Sequence, residues 1–441
     1  MPNAKPPAFV LLELLNHMVL VAREAKRRGF HVIALNQGPL LTEGPFAVPE
    51  GVVDEVVAVT TWTDTAEVGR LLDDVLDRYE VAGTYTAFEG ALRPEAVLRE
   101  RSGLPTSTAA TVTRVLDKAL VRGALHAEGL TELRSTTLDK ALTWDSWGFD
   151  GPAVLKPANG TGSALCHTVA SLDELRSAAE ETASVTVTNP LMSEYIQAHG
   201  AFVLEERAEG ELVSVESLVH EGEVHIVGIT GRYVSALDPV VELGVCFPYA
   251  HPRHTEIVDR VTAFHRALGL THGPTHVEVM VPEEGPVELI DFNPRTAGVG
   301  AVVCIGNAYG TDYAVPLTDL ACGIRPDLAF LDRTPRNSAD LLLLPPPGAA
   351  VMTDLSFPDG TEYGRATKPF GQPLSGRADQ LDVVAMVVVT ADSPEELHRR
   401  TREVRRTTVF NGEPLGDNPN NRVIAPRHRG TRTSTQGDNR A

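Results

Sequence analysis

Residues 275–295 read THVEVMVPEEGPVELIDFNPR, and this stretch restricts the fold more than any other. Two alternating apolar runs flank PEEG, which predicts a β-hairpin. Side chains alternate across a strand, so His276 and Glu278 share one face, as do Asp291 and Asn293. A hairpin that pairs Pro282 with Val287 sets Glu278 opposite Asp291. Two facing carboxylates are costly unless a cation lies between them. Glu278, Asp291 and Asn293 together offer the hard oxygen ligands that Mg²⁺ or Mn²⁺ prefers, with phosphates completing the shell. The plainer reading is an exposed sheet face whose acids never meet. Against it, Val277, Val279, Leu289, Ile290 and Phe292 indicate a sheet buried on at least one side. Arg295 follows a proline two residues beyond Asn293, placed to grip a carboxylate or a phosphate.

A second stretch asks for the anion such a metal would share. AVLKPANGTGSA, residues 153–164, is an apolar run ending in Lys156, then a loop with Gly160, Gly162 and Ser163. Glycines let backbone N–H groups approach an anion, and a lysine neutralises it. It is not a P-loop, because no lysine follows the second glycine. Alone it reads equally well as a surface turn. Upstream, LDKALVR predicts a helix with Lys118 and Arg122 on one face, where a solvated lysine is the plainer reading of Lys118.

The chain's 441 residues predict roughly two to four domains. A net charge of −20 argues against nucleic-acid binding, which needs a basic face, but leaves room for a small anionic ligand on a local pair of lysines. Cys166, Cys246, Cys304 and Cys322 lack CxxC spacing and read as reduced, mostly buried thiols of a cytoplasmic protein. FVLLELLNHMVLVA carries Glu13, Asn16 and His17 and lacks a basic flank, so it reads as a strand entering a helix and not as a membrane span.

Along the chain, strands at 8–13, 31–35 and 53–60 and helices at 16–28 and 64–79 predict an open α/β sheet over the first hundred residues. Strands dominate from 150 to 230, with VHEGEV as a hairpin turn. EIVDRVTAFHRALGL and SPEELHRRTREVRR predict amphipathic helices, and VVAMVVVT a strand. The last residues are polar and rich in Gly, Asn and Thr, which predicts a disordered tail.

These motifs, in this order, resemble the ATP-grasp superfamily, and within it the carboxylate–amine ligases that include the L-amino acid (dipeptide) ligases. The likeness covers roughly residues 5–410. It implies an α/β (α+β) fold: a Rossmann-like domain over 1–110, an ATP-grasp domain over 111–335 with a lid at about 150–210, a C-terminal subdomain over 336–413, and a tail over 414–441. It implies ATP and Mg²⁺ or Mn²⁺ as cofactors. Lys118 and Lys156 would face phosphate, with Gly162 and Ser163 closing over it. LEER and the residues after it resemble the adenine hinge, which implies roles for Glu205, Glu206 and Ala208. SEYI at 193–196 competes for that place, but SVES follows LEER at the right distance. VELGVCFP resembles a segment lining the amine pocket.

The sequence departs from the family in three places. Asp291 stands where a glutamate is usual. Leu212 occupies the ribose-binding glutamate's place, leaving Glu211 or Glu209 as substitutes. Val245 replaces a histidine. The chemistry implied is phosphorylation of a carboxylate by ATP, then attack by an amine, with ADP and phosphate released. Arg295 would hold the carboxylate, with Arg232 next in line, and Glu242 would orient the amine and take its proton. Its plainer reading is a surface acid. The partners implied are a small carboxylate and a small amine, with no nucleic acid and no membrane. A homodimer stays open. So do two other readings: an ATP-grasp ligase for a non-amino-acid carboxylate or a nucleotide precursor, and a nucleotide-binding protein without turnover.

Overall fold

The computed structural model describes residues 5–15, 17–38, 40, 48–160, 165–184, 190–238, 241–376 and 382–426. Near the N-terminus, strands Pro7–Leu12, His31–Gln37, Glu55–Val59 and Glu80–Tyr85 form a parallel sheet with the first strand inside it, between the second and the fourth. Strand Pro7–Leu12 is an unbroken apolar run because helices cover both faces. Helix Thr65–Arg78 starts where Asp64 accepts from the N–H groups of Ala66 and Glu67, and it buries Val68, Leu72 and Val75 along one stripe. The Glu80–Tyr85 strand has no counterpart in the sequence reading. It holds Gly83, where a Cβ would lie 2.7 Å from the Phe9 ring, so close strand packing replaces the usual apolar signal.

Helices Ala109–Leu116 and Lys118–Ala127 share Asp117, which ends the first and caps the second by accepting from Ala119 N–H and Leu120 N–H. Next comes a small antiparallel sheet in the order Ser135–Thr137, Phe202–Glu206, Ala153–Pro157, His167–Val169. With helix Leu172–Ser184 it closes a separate core around Leu155, Leu175 and Leu204. This small sheet, which holds the expected lid, begins before residue 150, because Ser135–Thr137 pairs with Val203–Glu205. Three polar residues are too few to show a strand period. SEYI lies inside helix Pro190–His199, whereas LEER closes strand Phe202–Glu206 and runs on into the connection to the main sheet.

The main antiparallel sheet runs Glu288–Asn293, Gly273–Val281, Glu211–His220, Glu223–Ser235, Glu242–Phe247, Asn337–Leu343, Ala385–Ala391, Tyr363–Ala366. Asn337–Leu343 pairs with Glu242–Phe247, so residues after 335 extend this sheet. Helices His254–Leu268 and Pro394–Thr407 pack one face. Val299–Tyr309 and Ala314–Ala321 lie on the other, and the N-terminal domain's Phe9, Leu11 and Met18 pack against them. Among the described residues no helix is long and apolar enough to cross a membrane. Cys246 and Cys304 are buried, whereas Cys166 and Cys322 are only partly covered.

The expected tail over 414–441 needs correction. Val423–Ile424 pairs with Val234–Ser235. Asn421 accepts from Leu344 N–H at 2.8 Å and donates to Leu344 O at 2.9 Å, and Asn418 donates to the same carbonyl at 3.1 Å. Asparagines that looked like disorder are side-chain partners of a strand end, which composition does not distinguish. Residues 427–441 lie outside the described residues. A chain ending at Gly412 loses these bonds, each worth about 1 kcal/mol, and should melt several degrees lower with impaired turnover. A chain ending at Pro426 should match the parent in both. Equal melting and activity of the two truncations would refute the role of 413–426.

Candidate active site

Between the lid and the main sheet lies a cleft of about 1590 Å³. Lys118, Lys156, Ala208, Glu211, Arg232, Glu242, Glu278, Asp291, Asn293 and Arg295 all line it. Gly162 and Ser163 lie outside the described residues.

The hairpin brings the acids together, by a different register from the one expected. Val279 pairs with Leu289 and Met280 with Glu288, one residue away from the register that would pair Pro282 with Val287. A bulge between Glu278 and Val279 then restores Glu278 opposite Asp291 and His276 opposite Asn293. The extra residue re-aims the end of the strand at the cleft.

Each acid is met by a cation from another element. Lys118, in the first turn of its helix, lies 3.1 Å from Asp291 Oδ1 and donates to Gly160 O at 2.9 Å. Burial alone would lower the lysine's pKa, but the Asp291 charge raises it. Arg232 bridges Glu278, at 2.7 Å, and Glu242. His276 sits between Glu216, at 2.9 Å, and Glu278, at 3.3 Å. Burial works against its charged form, yet Glu216 and then Glu278 push its pKa up to about 9. Burial would likewise raise Glu278, but Arg232 and His276 hold its carboxyl well below the usual range. Glu242 is therefore no stray surface acid: it is fixed on the cleft wall by Arg232.

Lys156 is 6% exposed. It bonds the Glu205 carboxylate and donates to Ile290 O at 3.1 Å. Arg122 holds the same carboxylate at 3.0 Å and Leu289 O at 2.8 Å. This corrects the hinge assignment for Glu205, which is a buried counter-ion for Lys156 and Arg122 and not part of the cleft wall. Glu206 also points elsewhere, accepting from Arg134 Nε at 2.7 Å and from its backbone N–H at 2.8 Å. Its own N–H donates to Arg134 O. Adjacent in one strand, the two side chains point to opposite faces and each is engaged by its own partners, so the stretch from Arg207 to Leu212 supplies that side of the cleft. Gly210 permits it: with φ of +137°, a Cβ there would lie 2.4 Å from Val281 O. Both ribose candidates line the cleft: Glu211 accepts from Tyr249 OH at 2.6 Å, and Glu209 ion-pairs Arg207 at 3.0 Å.

Arg295 is not free to meet a ligand with its whole fork. Its Nε donates to Glu89 at 2.6 Å, and other N–H groups reach Thr296 O at 2.8 Å and Asn293 Oδ1 at 3.4 Å. Glu89 opens helix Glu89–Ser102 of the N-terminal domain. Sequence reasoning missed it, since nothing local ties residue 89 to residue 295.

No group of three or more His, Cys, Asp or Glu side chains suited to a metal occurs among the described residues. The donor set is instead two facing carboxylates and one amide. It fits a hard divalent ion that shares its shell with phosphate, and the cations now on Glu278 and Asp291 show that both acids are poised for positive charge.

Residues 149–303 match the family model of the ATP-grasp domain. The chain is 27% identical over 386 residues to the Uncharacterized protein y4rH of Sinorhizobium fredii, covering 84% of this chain and 76% of that one. It is 25% identical over 311 residues to the Alanine--anticapsin ligase of Bacillus amyloliquefaciens, covering 63% of this chain and 62% of that one. The crystal structure of L-amino acid ligase from Bacillus licheniformis superposes with a TM-score of 0.75 at 19% identity, covering 92% of this chain and 99% of that one.

Proposed function

We propose that this protein, an ATP-dependent ligase built on an ATP-grasp domain, joins an amino-acid-like carboxylate to an amine, itself an amino acid or close to one, through an acyl phosphate. The observation that carries the reading is convergence. Two lysines, a facing pair of acids with an amide, and two arginines come from five separate strands and helices and from the loop at Arg295 to line one cleft.

A carboxylate is a poor electrophile until one of its oxygens is phosphorylated. Its oxygen attacks the γ-phosphorus and the bond to ADP breaks. Lys118 and Lys156 neutralise the phosphates, and Arg295, oriented by Glu89, faces the transferring group. A divalent metal held by Glu278, Asp291 and Asn293 would supply further charge neutralisation there. The amine nitrogen then attacks the acyl carbon, and phosphate leaves with the former carboxylate oxygen. Glu242, held on the wall by Arg232, takes the amine's proton.

ADP release should therefore require the carboxylate, and its steady rate should rise when the amine is also supplied. An ¹⁸O-labelled carboxylate should deliver one label to inorganic phosphate. ADP release that needs no carboxylate, or phosphate free of label, would refute the acyl-phosphate route. The lysines give a second test. Lys156→Ala leaves Glu205 its Arg122 partner, so the fold should persist while affinity for a non-hydrolysable ATP analogue falls tenfold or more by calorimetry. Lys118→Ala should do the same. Parent-like affinity in either variant would mean that lysine does not face phosphate.

A further inference from the structure

The cleft continues past Arg232 to a carboxylate that the chemistry above does not use. Arg232, Val245 and Asp340 are cross-strand partners in a row over three adjacent strands. With strands about 4.8 Å apart, Asp340 stands about 10 Å across the sheet from Arg232's backbone. It lines the cleft, is 6% exposed, and its Oδ1 is buried without a hydrogen-bond partner. A buried acceptor left unmet is costly, and native proteins keep few of them.

The surroundings are built around this carboxylate. Gly300, in the first turn of helix Val299–Tyr309, lies against it so closely that a Cβ there would fall 1.7 Å from Asp340 Oδ2. Val245, Leu342, Met386 and Ile424 make the neighbouring wall apolar. Arg405 spends its Nη groups on Leu342 O at 3.0 Å and Leu243 O at 2.6 Å. Burial pushes the Asp340 carboxyl up to about 7, and the charges of Arg365 and Arg405 offset this only in part. The Leu341 backbone N–H also serves this carboxylate, but Oδ1 is left without a donor, and a cation entering the cleft would supply one.

We infer that Asp340 and the apolar wall beside it form a substrate subsite that binds a positively charged nitrogen carried next to an apolar body. An ammonium held this way keeps its proton and has no lone pair, so it is not the attacking amine. It is a second nitrogen, either the α-ammonium of the carboxylate substrate or a cationic side chain on one of the two substrates. The inference rests on the ligase reading only in calling the ligand a substrate.

Three six-carbon probes separate the sources: L-lysine, L-norleucine, which lacks the side-chain ammonium, and hexanoate, which lacks both. Their affinities for the full chain with ADP and Mg²⁺ are measured by calorimetry, so the result does not depend on turnover. At least one added ammonium should tighten binding by roughly ten- to a hundredfold. A gain from hexanoate to norleucine identifies the α-ammonium, and a gain from norleucine to lysine identifies a side-chain cation. Asp340→Asn, near-isosteric and lacking a buried charge, should erase that gain while ADP affinity stays within twofold. Gly300→Ala, which pushes the carboxylate aside, should erode the same gain. If the parent and Asp340→Asn discriminate equally among the probes, or if the parent binds none of them, the subsite is wrong. A protein that shows the gain but no amine-dependent ADP release would keep the subsite and lose the ligase.

Discussion

Replacing Asp291 with asparagine is expected to lower ATP-dependent turnover by a factor on the order of 10²–10³ while the protein still folds. Asp291 is proposed to share a divalent ion with Glu278 across the bulged hairpin, and the amide removes the charge without changing the shape. Lys118 would lose its ion pair at 3.1 Å but keep its bond to Gly160 O at 2.9 Å. Both partners of that ion pair are partly exposed, so melting should move little. Glu278→Gln should cost a similar factor, because Arg232 still has Glu242. The double variant should lose far less than the product of the two single losses, since both acids act through one ion. The measurement is steady-state ADP release against Mg²⁺ concentration. Parent-like activity of Asp291→Asn at limiting Mg²⁺ would remove this pair from the metal site.

Arg295→Lys should lower kcat by roughly a hundredfold with nucleotide affinity within a few-fold of the parent. The guanidinium is shared between Glu89, Thr296 O and Asn293 Oδ1, and a point charge cannot make that set of bonds. The proposed contact would strengthen as charge moves onto the transferring phosphoryl group, so kcat should fall more than binding. Glu89→Gln is the companion variant. It keeps the arginine but weakens its tie to the N-terminal domain, so it should cost stability and part of kcat. A lysine variant that turns over normally would make Arg295 a domain tether, and Arg232 would become the group that holds the carboxylate.

Local patterns were enough to read part of this molecule. The alternation in THVEVMV and VELIDFN put Glu278, Asp291 and Asn293 on one hairpin because a strand's period of two is a property of its own residues. The alternating strands and helices of the first hundred residues likewise foretold an open α/β sheet. Where the signal was short, the reading failed. Ser135–Thr137 has three residues and no periodicity, and the Glu80–Tyr85 strand is recognisable only once Gly83 meets Phe9. The stretch 418–424 has the composition of a tail, and its asparagines are ordered by Leu344, more than seventy residues away.

Which residues the sequence places together and which it leaves to the fold follows from the range of the forces involved. Backbone sterics and side-chain period act over a few residues, so they marked several of the helices and the hairpin that carries the candidate acids by themselves. Arg295 meeting Glu89, Glu205 turning under Lys156, and Asp340 Oδ1 left without a hydrogen bond beside Gly300 are outcomes of burial, decided when separate elements pack and shed water. Desolvation makes each of those charges need a partner, and only the tertiary structure determines whether it finds one in the chain or has to find it in a ligand.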